Sequence, residues 1–255
     1  MQLKQRTDMH LTKDKMIWVP SDDNWHQWGA DWEKNEIDEI INHHISNWDV
    51  ALDIGAHVGI WSMRLAEKFK RVHAFEPVPK HIECWKQNMQ RFTSEHSEWE
   101  NASILETVAL SNENGVGTMT VPNTTNTGRA TFVEKLFIKN HDFPKLQVKT
   151  KTLDSYEFTQ VDFIKIDVES FELKVLQGAE NTIRKHKPVM YIEMCDPEAY
   201  TFIENLQLGY KIFYANGMNR LFKSNTVLEE LKGILKTQYT SDLKIIPNTD
   251  IRYIH

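Results

Sequence analysis

The chain of 255 residues is poor in cysteine: it has only Cys84 and Cys195, which lie far apart with no paired spacing. This pattern indicates neither a disulfide framework nor a cysteine zinc cluster, and we expect two free thiols. Long hydrophobic runs are also missing. None reaches the length of a transmembrane helix, and residues 1–10 lack the apolar centre of a signal peptide. We therefore expect a cytoplasmic protein with no membrane partner.

Positive charge is scarce as well. The chain has 30 Lys and Arg against 36 Asp and Glu, a net charge of −6. Nucleic-acid binders neutralise many phosphates with Lys and Arg, so this balance argues against a nucleic-acid partner. With 40% hydrophobic residues the chain can bury one substantial core. We expect an N-terminal extension with a capping helix over residues 1–47 and one α/β domain over residues 48–255.

The dinucleotide-binding spacing G-x-G-x-x-G is absent from the stretch that most resembles a nucleotide-binding loop, residues 50–62. There an apolar run ends at Asp53, turns through Gly55 and Gly59 and restarts with helical spacing, which predicts a strand, a tight loop and a helix. Glycine lets the backbone approach a ligand, and the helix start presents unpaired N–H groups. An acid two residues before the first glycine suits a positively charged ligand better than a pyrophosphate.

A second apolar run, residues 71–77, ends in Glu76 and Pro77. Glu76 is placed to accept both hydroxyls of a ribose, through charge-assisted hydrogen bonds worth about 1.5–3 kcal/mol each. The alternative is that Glu76 only caps the next helix. Two acids around one glycine turn fit S-adenosylmethionine, which has a ribose, a cationic sulfonium and an ammonium group but no phosphate.

A third apolar run passes through Lys165 to Asp167 and Glu169 and then into a helix. Open α/β sheets bind ligands at the carboxyl ends of their strands, where both acids are expected. Three motifs together resemble the FkbM-type S-adenosylmethionine-dependent methyltransferases over about residues 32–210: Asp53-Ile54-Gly55-Ala56 with Gly59, Phe75-Glu76-Pro77, and Ile164-Lys165-Ile166-Asp167-Val168-Glu169 with Glu172 and Gly178-Ala179. Where the family usually has glycine after the strand-end glutamate, this chain has Ser170.

This resemblance implies a class I, Rossmann-like methyltransferase fold: an α/β protein with a doubly wound, mostly parallel sheet. Alternating strands and helices predict a parallel sheet independently. The resemblance also implies S-adenosylmethionine as cofactor and O-methylation of a hydroxyl on a sugar, glycolipid or secondary metabolite, with N-methylation less favoured. The competing interpretation is a Rossmann-like nucleotide-binding protein or an NAD-dependent oxidoreductase without methyl transfer.

The expected cofactor site combines the strand ends with the strand predicted over residues 103–111. Its residues are Asp53, Gly55, Ala56, His57, Gly59, Glu76, Pro77, Ala109 and Asp167. Asp167 is expected at the methionine end of the cofactor, which leaves Glu169 and Glu193 nearer the methyl acceptor.

A general base helps transfer to a hydroxyl, typically by about 10²–10⁴-fold, because alcohols hold their protons tightly at neutral pH. The candidates are Glu169, Glu193 and Lys165. Lys165 lies in a predicted buried strand, where an ammonium group needs a partner. It therefore either forms a structural ion pair or has a lowered pKa and acts as the base. Because the sulfonium is already activated, we expect no metal site; a divalent ion bridging Asp167, Glu169 and Glu193 is the alternative.

Two further segments predict either a substrate cap or ordinary packing. The N-terminal segment is crowded with tryptophans, at positions 18, 25, 28 and 32, with His26 among them. Residues 123–131 carry hydrogen-bonding side chains that suit either a polyhydroxyl ligand or a solvated hairpin tip.

Periodicity predicts the remaining elements. A helix with Ile37, Ile40, Ile41 and Ile45 on its buried face precedes residue 50, and another helix covers about residues 80–92. The expected strands are 16–19, 103–111, 188–193, 209–213 and 243–246, with a small β-ribbon inserted within residues 116–148.

Overall fold

The computed structural model describes residues 9–24, 26, 33–99, 102–123, 126–133 and 143–224. Its helices are α1 (Lys34–His44), α2 (Ile60–Ala66), α3 (Pro79–Glu95), α4 (Glu172–Gln177), α5 (Glu180–His186) and α6 (Pro197–Asn205). Its strands are β1 (Met9–Leu11), β2 (Trp18–Pro20), β3 (Val50–Ile54), β4 (Arg71–Phe75), β5 (Ser103–Glu106), β6 (Ala109–Leu110), β7 (Gly115–Thr120), β8 (Lys145–Lys151), β9 (Phe163–Ile166), β10 (Val189–Glu193), β11 (Lys211–Asn216) and β12 (Asn219–Lys223).

A seven-stranded sheet in the order β11-β12-β10-β9-β3-β4-β5 forms the centre of the molecule. The strands from β10 to β5 are parallel, and β12 and β11 add an antiparallel hairpin at one side. The register pairs Ile54 of β3 with Phe75 on one side and with Ile166 on the other. The carboxyl ends of β3, β4 and β9 are therefore level, which brings the loops that follow them to one edge of the sheet.

Helices cover both faces of the sheet. On one face, α1, α2 and α3 enclose a core that contains the predicted isoleucines of α1. On the other face, α4, α5 and α6 contribute residues such as Val175, Ile183 and Ile203. Strand residues including Phe163 and Ile164 are buried from both sides, as the continuous apolar runs predicted. No helix in the described part of the chain is long and apolar enough to span a membrane.

The inserted β-ribbon is confirmed and belongs to a three-stranded sheet of order β6-β8-β7. β7 and β8 pair antiparallel, and β6 pairs parallel with β8. The single strand expected over residues 103–111 is wrong, because the chain changes sheets after Glu106. β5 completes the central sheet, whereas Ala109 and Leu110 pair with Thr150 and Lys151.

The strand β12 was not expected from the sequence, and it forms the hairpin with β11. The strand expected over residues 243–246 lies outside the described residues.

Candidate active site

The glycine loop between β3 and α2 is confirmed, with φ of +77° at Gly55 and +94° at Gly59. The reason for the glycines differs from the expected one. A Cβ on Gly55 would lie 1.9 Å from the carbonyl oxygen of Asp167, and one on Gly59 would lie 2.8 Å from the indole of Trp85. Glycine is therefore needed at both positions because a Cβ would clash with neighbouring protein atoms. Gly55 lines the cleft described below, whereas Gly59 and Ala56 do not.

Asp53 lies beneath this loop and is fully buried. Its carboxylate accepts a hydrogen bond from Ser62 Oγ at 2.6 Å and lies 3.5 Å from Lys165 Nζ. It is not among the cleft-lining residues, so its predicted direct contact with the cofactor is not supported. The structure instead makes Asp53 a buried countercharge below the site.

Lys165 lies beside Asp53 in the sheet and forms the ion pair that was one of its two expected roles. Its ammonium donates to the carbonyl oxygen of Gly55 at 2.8 Å and lies 3.4 Å from Asp167. Burial alone would lower the pKa of Lys165, but the charges of Asp167, Asp53 and Glu33 outweigh it and raise that pKa above its ordinary value. The prediction that Lys165 has a lowered pKa and acts as a base is therefore wrong, because its ammonium group stays protonated.

Glu76 follows β4, is buried and lines the cleft. Its Oε2 accepts the backbone N–H of His57 at 2.9 Å, and its Oε1 accepts the N–H of Val78, the residue before α3, at 2.9 Å. His81 Nδ1 lies 3.2 Å from the same Oε1. Glu76 therefore both stabilises the start of α3 and offers carboxylate oxygens at the cleft wall. Pro77 and Ala109 line the cleft beside it.

Three carboxylates converge at the ends of β9 and β10. Oxygens of Asp167, Glu169 and Glu193 lie within 4.8 Å of one another, and all three residues line the cleft. Burial, followed by the charge of Asp167, raises the pKa of Glu169 to about 7 and also raises the pKa of Glu193. The buried Glu172 behind them has a pKa raised to about 8, mainly by burial. We call Asp167, Glu169, Glu172 and Glu193 the acid cluster. Because their pKa values are raised, its three glutamates are only partly ionised at neutral pH.

The turn after β9 is tight. Glu169 and Ser170 have φ of +53° and +70°, a left-handed conformation that favours glycine. Ser170 thus occupies a position where the family's glycine would be unstrained. Thr131 Oγ1 donates a hydrogen bond to the carbonyl oxygen of Glu169 at 2.6 Å. This bond connects the turn to the polar loop of residues 123–131.

The acids, the glycine loop and Glu76 share one cleft with a volume of about 260 Å³. Phe132 and Phe171 line it with rings 4.6 Å apart. Asn126 and Gly128 line it too, so the described part of the predicted polar loop does reach the site. Residues 124–125 and the tryptophans at 25, 28 and 32 lie outside the described residues.

Three histidines in the cleft wall were missed as a group by the sequence analysis. His57 lies between His26 and His81, with ring centroids 4.6 Å and 4.3 Å away. Asp23 is fully buried and accepts from His26 Nδ1 and Thr127 Oγ1. The three histidines come from three separate segments with no motif spacing. Only the folded chain brings them together.

The strand order, the glycine loop and the acids at the carboxyl edge define a class I, Rossmann-like methyltransferase fold. The sequence profile of the Methyltransferase FkbM domain matches residues 53–219, more than half of the chain. The protein belongs to the FkbM methyltransferase family.

The solved structure of one FkbM methyltransferase supports this fold. Methyltransferase FkbM from Methylobacillus flagellatus KT aligns with a TM-score of 0.53 at 17% identity, over 78% of this chain and 52% of that chain. This chain thus spans about half the length of that protein. An rRNA methylase from Streptococcus thermophilus is 11% identical, with a TM-score of 0.42, over 76% of this chain and 94% of that chain. A comparison with curated proteins found no match.

Proposed function

We propose that the protein transfers a methyl group from S-adenosylmethionine to a hydroxyl group of a sugar, glycolipid or secondary metabolite. The observation that carries this proposal is the presence of Glu76 and the acid cluster in one cleft, on either side of the glycine loop. The family supplies the reaction class, methyl transfer.

Glu76 suits the ribose of the cofactor. Its carboxylate is held in place by two backbone N–H groups, so little side-chain freedom is lost when it accepts further hydrogen bonds. Carboxylate oxygens have several lone-pair positions, and a pair of ribose hydroxyls can use those that face the cleft.

The acid cluster suits the positively charged end of the cofactor. Burial is the main cause of the raised pKa values at Glu169 and Glu172, and the negative charge of Asp167 raises both further, so a cation in the cleft would stabilise the ionised carboxylates. When bound, S-adenosylmethionine supplies a sulfonium-activated methyl group. A pyrophosphate would meet the same acids with like charge, which disfavours the NAD-dependent alternative.

Among the acids of the cleft, Glu169 is our candidate proton acceptor because of its pKa. With a pKa of about 7 it is partly ionised at neutral pH, and a base near the working pH is the efficient choice. Glu193 keeps its proton more strongly because of burial and the charge of Asp167, and Lys165 stays charged. Glu169 therefore accepts the hydroxyl proton while the cleft holds donor and acceptor aligned.

The remaining walls of the cleft suit a hydroxylated acceptor. Asn126 offers an amide, and its Oδ1 also accepts from Gly128 N at 3.1 Å. Phe132 and Phe171 offer aromatic surface of the kind that packs on sugar rings. This mixture of polar and aromatic side chains supports a sugar-containing acceptor.

We also propose, on the basis of its composition, that the enzyme acts in the cytoplasm.

Native mass spectrometry of the purified protein tests the proposal. We expect a species with one bound S-adenosylmethionine or its demethylated product, and added S-adenosylmethionine should increase its abundance. A protein that retains NAD and does not bind S-adenosylmethionine would instead support the oxidoreductase alternative.

A further inference from the structure

The histidine-rich wall of the cleft contains a buried nitrogen that the proposed methyl transfer does not use. Among the described residues, Nε2 of His57 has no hydrogen-bond partner, although the atom is buried. Buried polar atoms are rarely left unsatisfied, and an ion or water is a common reason when they are. Oδ2 of Asp23 lies 4.0 Å from this nitrogen.

A second histidine approaches the same carboxylate oxygen of Asp23. His26 Nδ1 lies 3.0 Å from Asp23 Oδ2, and ligand atoms of Asp23, His26 and His57 all lie within 4.8 Å of one another. A tetrahedral zinc ion with bonds of about 2.0–2.1 Å has ligand atoms about 3.3 Å apart. The two measured separations, 3.0 and 4.0 Å, bracket that spacing.

We propose that Asp23, His26 and His57 form a binding site for a divalent transition-metal ion of the zinc type. Two imidazoles and one carboxylate are a donor set that zinc uses in proteins. Both histidines line the cleft, so an ion reaches the site from there.

The site joins two separate parts of the chain. Asp23 and His26 belong to the N-terminal segment, whereas His57 belongs to the glycine loop and fixes its own backbone through Glu76. A bound ion therefore crosslinks that segment to the loop and stabilises the folded state. This site could not be predicted from the sequence, because the three donors are separated by three and 31 residues and form no motif.

Titration of the full-length protein with Zn²⁺ alone, and with Co²⁺ as a visible probe, tests the proposal. We expect one ion per chain, a Co²⁺ absorption typical of low-coordinate geometry and a rise in melting temperature with Zn²⁺. His57→Asn and Asp23→Asn should each weaken binding more than about 100-fold. Asparagine is chosen at position 57 because it tolerates the left-handed φ of +50° found there.

Two control variants separate this site from its neighbours. His81→Gln changes the third ring, whose nitrogens face Glu76 and Thr127, and Glu193→Gln changes the acid cluster. Both should keep zinc binding within a few fold. Absence of binding to the wild-type protein, or binding unaffected by His57→Asn in a variant with normal circular dichroism, would overturn the proposal. Binding lost only in Glu193→Gln would overturn it as well, in favour of the acid cluster. None of these readouts depends on methyl transfer, so the proposed function can fail independently.

Discussion

Glu76 is the residue through which cofactor recognition is most easily measured. Replacing it with alanine removes the ribose acceptor, and we expect S-adenosylmethionine affinity to fall by about 1–3 kcal/mol, roughly 5- to 150-fold. Equilibrium dialysis with labelled cofactor gives the dissociation constants. Glu83→Ala, on the exposed side of α3, is the control and should bind normally. Unchanged affinity in a well-folded Glu76→Ala protein would remove Glu76 from the site.

Glu169 and Asp167 differ in the step that each should affect. Glu169→Gln removes a proton acceptor, so kcat should fall by about 10²-fold or more while cofactor affinity changes little. Asp167→Asn should mainly weaken cofactor binding. Single-turnover kinetics with cofactor titration separates the two effects once a methyl acceptor is in hand. Normal turnover by Glu169→Gln would show that the base is another group.

Lys165 is expected to matter for stability through its ion pairs with Asp53 and Asp167. Lys165→Met leaves the buried carboxylate of Asp53 without its countercharge, at a cost of about 3–5 kcal/mol in the free energy of unfolding. Urea denaturation measures this loss, and Asp53→Asn combined with Lys165→Met should recover part of it. Lys70→Met, which removes an exposed ion pair, should cause no measurable loss. A stable but inactive Lys165→Met protein would restore the catalytic hypothesis for this residue.

Among the elements, the glycine loop has no room for a Cβ atom at Gly55. Gly55→Ala forces a Cβ into the carbonyl of Asp167 at a positive φ, so we expect a loss of about 2–5 kcal/mol from overpacking and backbone strain together. Gly115→Ala is the matched control, because its Cβ would meet only Thr150 Oγ1 at 3.7 Å. Chemical denaturation of both variants distinguishes the two cases. Equal stabilities would show that the loop is less closely packed than described.

The elements that the sequence predicted correctly are those with strong periodicity or clear ends. The isoleucines of α1 and the strand β3 ending at Asp53 follow from local pattern alone. The change of sheets between β5 and β6 does not, because it depends on pairing with β8, about 40 residues later in the chain. Local patterns carry no record of such long-range pairing.

The same distinction holds within the candidate site. Glu76, Asp167, Glu169 and Glu193 were found because each ends an apolar run, and parallel strands bring such ends together. The burial of Asp53 under the loop, and the meeting of His26 with His57, depend on tertiary packing that no spacing reveals.

Across the whole molecule, the acid cluster should make stability depend on pH. Glu169 and Glu172 have pKa values raised from 4.5 to about 7 and about 8. Below about pH 4.5 both folded and unfolded chains hold these protons, so the contribution is fully present. As the pH rises, the unfolded chain ionises first, and stability is lost through pH 7 to 8.

Thermal unfolding across this range measures the effect. The melting temperature should fall as the pH rises from about 5 to about 8, and Glu169→Gln with Glu172→Gln should flatten the curve. A wild-type melting temperature that rises steadily over that interval, with no difference in the double variant, would show that these acids are ionised in the folded protein.

Calorimetric titration of the wild-type protein with S-adenosylmethionine, and separately with NAD, distinguishes the proposed methyltransferase from the NAD-dependent alternative. The cleft predicts one saturable site for S-adenosylmethionine, with its demethylated product competing for the same site and with NAD giving no heat of binding. Saturable binding of NAD together with no binding of S-adenosylmethionine would contradict the account.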